Sequence, residues 1–183
     1  VVVVNHHLLF ADLAIKREGF GEILPGAQAF ILDEAHQIAE VASQFFTISV
    51  SYRQLVELCR DTLTEAATQT GALALLKPAV GELEQQTREF RLALDNLPIK
   101  GPWSLAIESQ GVTDALAGLG SALAGLVTAL EAQSERSTGL EACSARATEL
   151  ISRLERACGG GRAGEVCWFE LFQRGFALHA TPL

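Results

Sequence analysis

The sequence predicts a mainly α protein with a small β part, an antiparallel helical bundle inserted in a truncated α/β domain. Three observations predict it. Strand and helix signals alternate over residues 1–45, apolar residues then recur at spacings of three and four from residue 51 to 158, and two strand-like runs close the chain around a tight turn. With 49% of its residues apolar, the chain can bury a sizeable core. It contains no methionine and opens on Val1–Val4, which reads as the middle of a buried strand, so these 183 residues are expected to be a piece of a longer protein.

In chain order, Val1–Val4 is a β-branched run suited to a strand covered on both faces. His6–Glu18 reads as a helix with apolar positions at Leu9 and Leu13, beside Phe10 and Ala14, and is broken by Gly19 and Gly21. Pro25-Gly26 marks a turn, Ala29–Leu32 a second short strand, and Ala35–Gln44 a helix; this is the rhythm of a parallel sheet. Phe45–Val50 is strand-like. Ser51 stands three residues before Gln54, a capping box for a helix that runs towards Thr70 and stops at Gly71.

The helical periodicity is clearest after that. Leu73, Leu76, Val80, Leu83, Thr87, Phe90, Leu94 and Leu97 form a heptad-like seam, with Pro78 expected to force a start or a kink. Pro98, Gly101 and Pro102 end it, and Trp103 falls in a loop. The seam returns at Leu116, Leu119, Leu123, Leu126 and Leu130, then out of phase at Leu140, Cys143, Ala147, Leu150 and Leu154, with a break around Ser134, Ser137 and Gly139. About four helices are therefore expected, their seams forming a core. Gly159-Gly160-Gly161 is a break, and Glu165–Phe172 with Phe176–Ala180 reads as a hairpin around Gln173-Arg174-Gly175.

Composition excludes several classes. A formal charge of −8 argues against coating a polyanion through bulk electrostatics, though a local basic groove remains compatible with it. Cys59, Cys143, Cys158 and Cys167 match neither CxxC nor zinc-finger spacing and read as apolar thiols of a reducing compartment. No signal peptide is evident. The uncharged run Ala115–Leu130 is shorter than the roughly 20 apolar residues of a membrane span, so it reads as a buried helix of a soluble protein. No G-x-x-x-x-G-K-[ST] occurs.

The chemistry concentrates in Ile31-Leu32-Asp33-Glu34-Ala35-His36. An apolar strand would place two adjacent carboxylates at its carboxyl end, where open α/β sheets bind ligands. Nucleotide hydrolysis uses such a pair, one carboxylate for magnesium and the next for the attacking water. Asp33–His36 resembles the DEAH box, the Walker B motif of superfamily two helicases. Val1–Leu9, with Asn5-His6-His7, resembles the segment that follows the iron–sulfur insertion in DinG-type helicases, relatives of XPD.

The resemblance implies a partial RecA-like motor domain over 1–45, a helical arch domain over 46–164, and a β-hairpin over 165–183 returning to the motor domain. It implies that Asp33 coordinates magnesium with ATP, that Glu34 is the catalytic base, and that His36 links the nucleotide site to the DNA-binding state. Asn5, His6 and His7 would lie near the DNA path, as contacts or as hydrogen-bonding groups at a strand end. The whole protein would unwind DNA 5′-to-3′ in repair or replication, act on single-stranded and forked DNA in the cytoplasm, at the nucleoid, without a membrane, and meet a replication or repair protein. Its [4Fe–4S] cluster ligands, Walker A lysine and second motor domain are missing from these 183 residues, which are therefore expected to hydrolyse no ATP and bind no cluster.

Two other readings stay open. His6, His7, Asp33 and His36 would make a transition-metal centre if the fold gathered them, although HExxH is absent. Alternatively the helices form a non-catalytic module for single-stranded DNA or a protein partner. Residues 52–158 hold ten Lys/Arg against fourteen Asp/Glu, so a DNA track would be local: Arg88, Arg91 and Lys100, with Phe90 or Trp103 beside them.

Overall fold

Asn5 starts the first helix. Its side-chain oxygen accepts the N–H of Leu8 at 2.8 Å, three residues on, which satisfies one of the orphan donors of a helix start. The computed structural model describes residues 1–17, 21–133, 137–159 and 164–182, and divides into two compact units, Val1–Thr47 with the last residues from Thr181, and Ile48–Ala180. The expected breaks at Gly19, Ser134 and Gly160-Gly161 lie outside the described residues.

In the first unit, α1 (His6–Arg17) packs on α2 (Ile38–Phe46), which follows a single 3-10 turn, Ala35–Gln37. Phe10 joins them, stacked on Phe45 and edge-on to Phe46 at centroid distances of 6.4 and 5.9 Å. Phe45 and Phe46 thus belong to a helix and not to the predicted strand. The buried face of α1 includes Asp12, while Leu13 is exposed. Asp12 accepts the N–H groups of Leu24 and Ile23 at 2.9 and 2.6 Å and ion-pairs Lys16 at 2.9 Å. The Leu24 amide and the Lys16 ammonium hold its carboxyl below the usual range, which pins the 22–24 segment to the helix.

Neither predicted strand of this unit forms. Residues 1–4 and 29–32 have no strand assignment, and Val1, Val3 and Ile31 are almost fully exposed. A strand exists only through its neighbours' hydrogen bonds and the layers that cover it, and no described residue supplies either for these runs. The α/β expectation for residues 1–45 is corrected to that extent: the described residues among 1–45 are helical and irregular.

The second unit realises the bundle. After strand β1 (Ile48–Ser51), the predicted capping box is complete: the Ser51 hydroxyl accepts the Gln54 N–H at 3.3 Å, and the Gln54 side chain accepts the Ser51 N–H at 2.9 Å. It starts α3 (Tyr52–Ala67). Gly71, at φ +79°, does not end that helix but caps the start of α4 (Ala72–Ala93). Pro78 lies inside α4 and not at its start, so the C=O of Ala74 loses its usual donor there. Leu76, Val80, Leu83, Thr87, Phe90 and Leu94 are all buried, as the seam predicts, and only its first member, Leu73, is exposed.

Strand β2 (Lys100–Pro102) and a single turn, α5 (Trp103–Ala106), lead into α6 (Gln110–Glu131) and α7 (Thr138–Cys158). The predicted leucines of α6 and α7 from Leu119 to Leu154 fall in one continuous core. The helix α6 is long and apolar enough to cross a membrane by length and composition, and here it lies between α4 and α7. Helix α3 closes the ring by packing on α4 and α7.

The chain ends in the predicted hairpin, β3 (Glu165–Phe172) and β4 (Gly175–Pro182). It completes a four-stranded antiparallel sheet in the order β1-β4-β3-β2. The sheet closes one end of the bundle. Phe176 meets Phe90 edge-on at 4.9 Å and Tyr52 at 6.0 Å, while Arg91 donates to the Phe172 carbonyl at 3.0 Å. Trp103, predicted in a loop, is 2% exposed, and its Nε1 donates to the Cys158 carbonyl at 2.8 Å, tying the α4–α6 connection to the end of α7.

Candidate nucleotide-binding and DNA-binding residues

Asp33 and Glu34 sit immediately before the 3-10 turn that leads into α2, both exposed. Asp33 Oδ1 accepts the Glu34 N–H at 2.9 Å, leaving Oδ2 available. Glu34 is the only non-glycine residue with positive φ among those described, at φ 49° and ψ 44°. That left-handed conformation is costly for a side chain with a Cβ. His36 Nδ1 lies 3.2 Å from Glu34 Oε2, so the structure brings the expected base and the expected coupling histidine into contact. A magnesium ion in a nucleotide complex takes one or two carboxylates, with phosphates and water filling the rest, and Asp33 Oδ2 is suited to that role.

The N-terminal trio separates by role. Asn5 is consumed in capping α1, His7 packs edge-on to Phe45 at 6.1 Å, and His6 is half-buried on the first turn. Together with Asp33 and His36 they do not form a metal centre: no three His, Cys, Asp or Glu side chains among the described residues are grouped to hold an ion.

The expected DNA track on the bundle is partly dismantled. Arg88 is exposed on α4. Arg91 is only 17% exposed, ion-paired to Asp95 and bonded to the Phe172 carbonyl, so it locks the sheet to α4. Phe90 and Trp103 are both core residues and offer no face to a base. Their burial follows from the heptad position of Phe90 and from the indole hydrogen bond of Trp103.

Lys100 instead stands over Trp168, its ammonium 4.2 Å from the ring centroid, and Trp168 stacks on His179 with centroids 3.9 Å apart and an interplanar angle of 19°. Sequence reasoning missed this group. Its signal was the period of two in β3, which puts Val166, Trp168, Glu170 and Phe172 on one face and buries Phe169 and Leu171 on the other. Burial pushes the His179 imidazole down from its ordinary value, and neither ring nitrogen has a hydrogen-bond partner.

No family model matches the chain. Two relatives match it from end to end. The protein named ATP-dependent DNA helicase YoaA in Haemophilus influenzae is 35% identical over 184 residues, and the one of the same name in Escherichia coli K12 is 36% identical over 183. Each alignment covers 100% of this chain and 29% of the relative, so the chain spans under a third of the length of these curated relatives. Over its whole length, this chain is thus a homologue of one part of proteins named as ATP-dependent DNA helicases.

Proposed function

We propose that this chain is part of an ATP-dependent DNA helicase of 5′-to-3′ polarity, of the DinG and XPD type. In this reading residues 1–45 belong to a RecA-like motor domain with its Walker B (DEAH) motif, 46–164 form the arch that guides the DNA strand, and 165–183 lead back to the motor. End-to-end similarity to helicases carries the reading, because it includes the Asp33-Glu34-Ala35-His36 quartet together with the bundle that follows. The longer protein would be cytoplasmic and act on single-stranded or forked DNA, with a replication or repair protein as partner and a [4Fe–4S] cluster held by residues outside this chain.

Magnesium with ATP supplies the phosphoryl group and the charge neutralisation for its transfer. Asp33 would hold the ion through Oδ2, since Oδ1 is bonded to the Glu34 amide. Glu34 would orient water and take its proton on the carboxylate. His36, 3.2 Å from that carboxylate, would restrain it until DNA is engaged. Of the two arginines expected to contact DNA, Arg88, exposed on α4, would remain available to a phosphate.

Glu34→Gln in the full-length protein is expected to lower kcat for ATP by roughly 10²–10⁴-fold with little change in KM. His36→Ala is expected to retain ATP hydrolysis but lose its stimulation by single-stranded DNA. Undiminished turnover in the Glu34 variant would overturn the assignment. So would magnesium-dependent ATP hydrolysis by the 183 residues alone, because they contain no Walker A lysine.

A further inference from the structure

The sheet at the end of the bundle has an outer face that the core does not use. Its inner face is Phe169, Leu171, Phe176 and Leu178, all within the core cluster. The alternate positions point outward: Lys100 on β2, Val166, Trp168, Glu170 and Phe172 on β3, and His179 on β4, with Ser49 of β1 opposite His179. Phe172 is 52% exposed and Val166 41%, so this face presents apolar and aromatic surface beside an exposed lysine.

Strand β3 lies between β4 and β2. Trp168 stacks on His179 of β4, and Lys100, two residues from the Pro102 that pairs with Trp168, reaches diagonally from β2 over the ring. The two flanks differ in kind. His179 is a flat ring held in a strand, with both nitrogens buried and unpartnered, and it fixes the plane of the indole. Lys100 is a flexible chain whose cation rests on the ring, a weak contact at an exposed site. A nucleobase stacking on an aromatic ring is the stronger contact.

We propose that this outer face binds single-stranded DNA by base stacking. One base displaces the Lys100 ammonium from the Trp168 ring, and the released ammonium pairs with the neighbouring phosphate. The ligand class rests on the helicase reading; the site and its geometry do not. The flat ring selects a base, and the displaced cation matches a polyanion's charge. Glu170 is the direct partner of Lys100 across the strand pair, so the proposed phosphate contact rests on Lys100 alone on this face. Stacking needs no particular base, so binding is expected to be tolerant of sequence.

The test is fluorescence of the 183-residue chain titrated with an oligodeoxythymidylate of about ten nucleotides, a length within the usual range for one such site, and with an abasic deoxyribose-phosphate oligomer of equal length. Trp103 is buried and bonded, so quenching reports Trp168. Quenching by the first oligomer and not by the second is expected. Trp168→Phe should keep affinity, measured by anisotropy of a labelled oligomer, within a few-fold, and Trp168→Ala should lower it about tenfold. Lys100→Gln, which leaves the core untouched, should reduce the slope of log affinity against log salt by about 0.7. DNA binding with unquenched Trp168 and an unchanged salt slope would overturn the stacking site while leaving the helicase reading intact. Equal quenching by both oligomers would also overturn it, as would no binding at all, the result expected if this face instead docks a protein. Loss of the Glu34 effect on ATP turnover would strike the helicase reading alone.

Discussion

Cys59 shows how a single side chain takes its chemistry from its surroundings. It lies in α3, 1% exposed, with its sulfur directed at the Val80 carbonyl of α4 at 4.0 Å. Burial, and secondarily Glu84, pushes its thiol up to about 12. Burial also raises Cys143, Cys158 and Cys167, so the reading of these cysteines as inert apolar residues has a physical basis. At pH 8 Cys59 is therefore held as the thiol, and iodoacetamide should leave it unmodified in the native protein and alkylate it in denaturant, as read by mass spectrometry. Because its folded pKa lies above the unfolded one, its contribution to stability is complete below about pH 9 and fades as pH rises towards 12. Trp103 and Trp168 make the complementary point. Both are legible in the sequence as aromatic residues, but one is a core strut and the other lies on a sheet face, and only strand parity and the Cys158 hydrogen bond separate them.

Among the elements, α3 and the hairpin were the most legible. Ser51 and Gln54 are three residues apart, and a capping box is a local device that needs no tertiary partner. Ser51→Ala is expected to cost about 1 kcal/mol in urea unfolding, with α3 fraying first in amide exchange; no loss of stability would mean that the β1–α3 junction is held by packing alone. The helical seams from Leu76 to Leu154 were legible for the same local reason, since spacings of three and four place side chains on one stripe of a helix. Gly71 was misplaced because glycine serves the end of one helix and the start of the next equally well, and its φ of +79° suits either. Of the two outcomes expected of Pro78, a helix start is excluded, because it lies inside α4, where burial of Leu76 and Val80 on either side of it offsets the missing hydrogen bond.

At the scale of the whole molecule, the core cluster runs from Val50 to Leu178 and lies wholly within Ile48–Ala180. Residues 48–180 expressed alone are therefore expected to fold with a single cooperative transition and undiminished helical circular dichroism. A broad, non-cooperative melt would show that the first unit is needed for the second to form. By itself the sequence determined the helical bundle, the hairpin, the capping box and the Asp33–His36 quartet, because each of these is written in spacings of a few residues. It also carried the resemblance to helicases, through short motifs that keep their residue types. Tertiary structure decided the rest. It left residues 1–4 and 29–32 without strand pairing, because a strand requires partners that its own sequence does not contain. It spent Arg91 and Phe90 on joining the sheet to the bundle and Trp103 on tying the α4–α6 connection to the end of α7, and it brought Lys100, Trp168 and His179, 68 positions apart in the sequence between the first two, onto one face through strand pairing. Contacts between distant segments follow from which surfaces are buried together, and no local spacing encodes that.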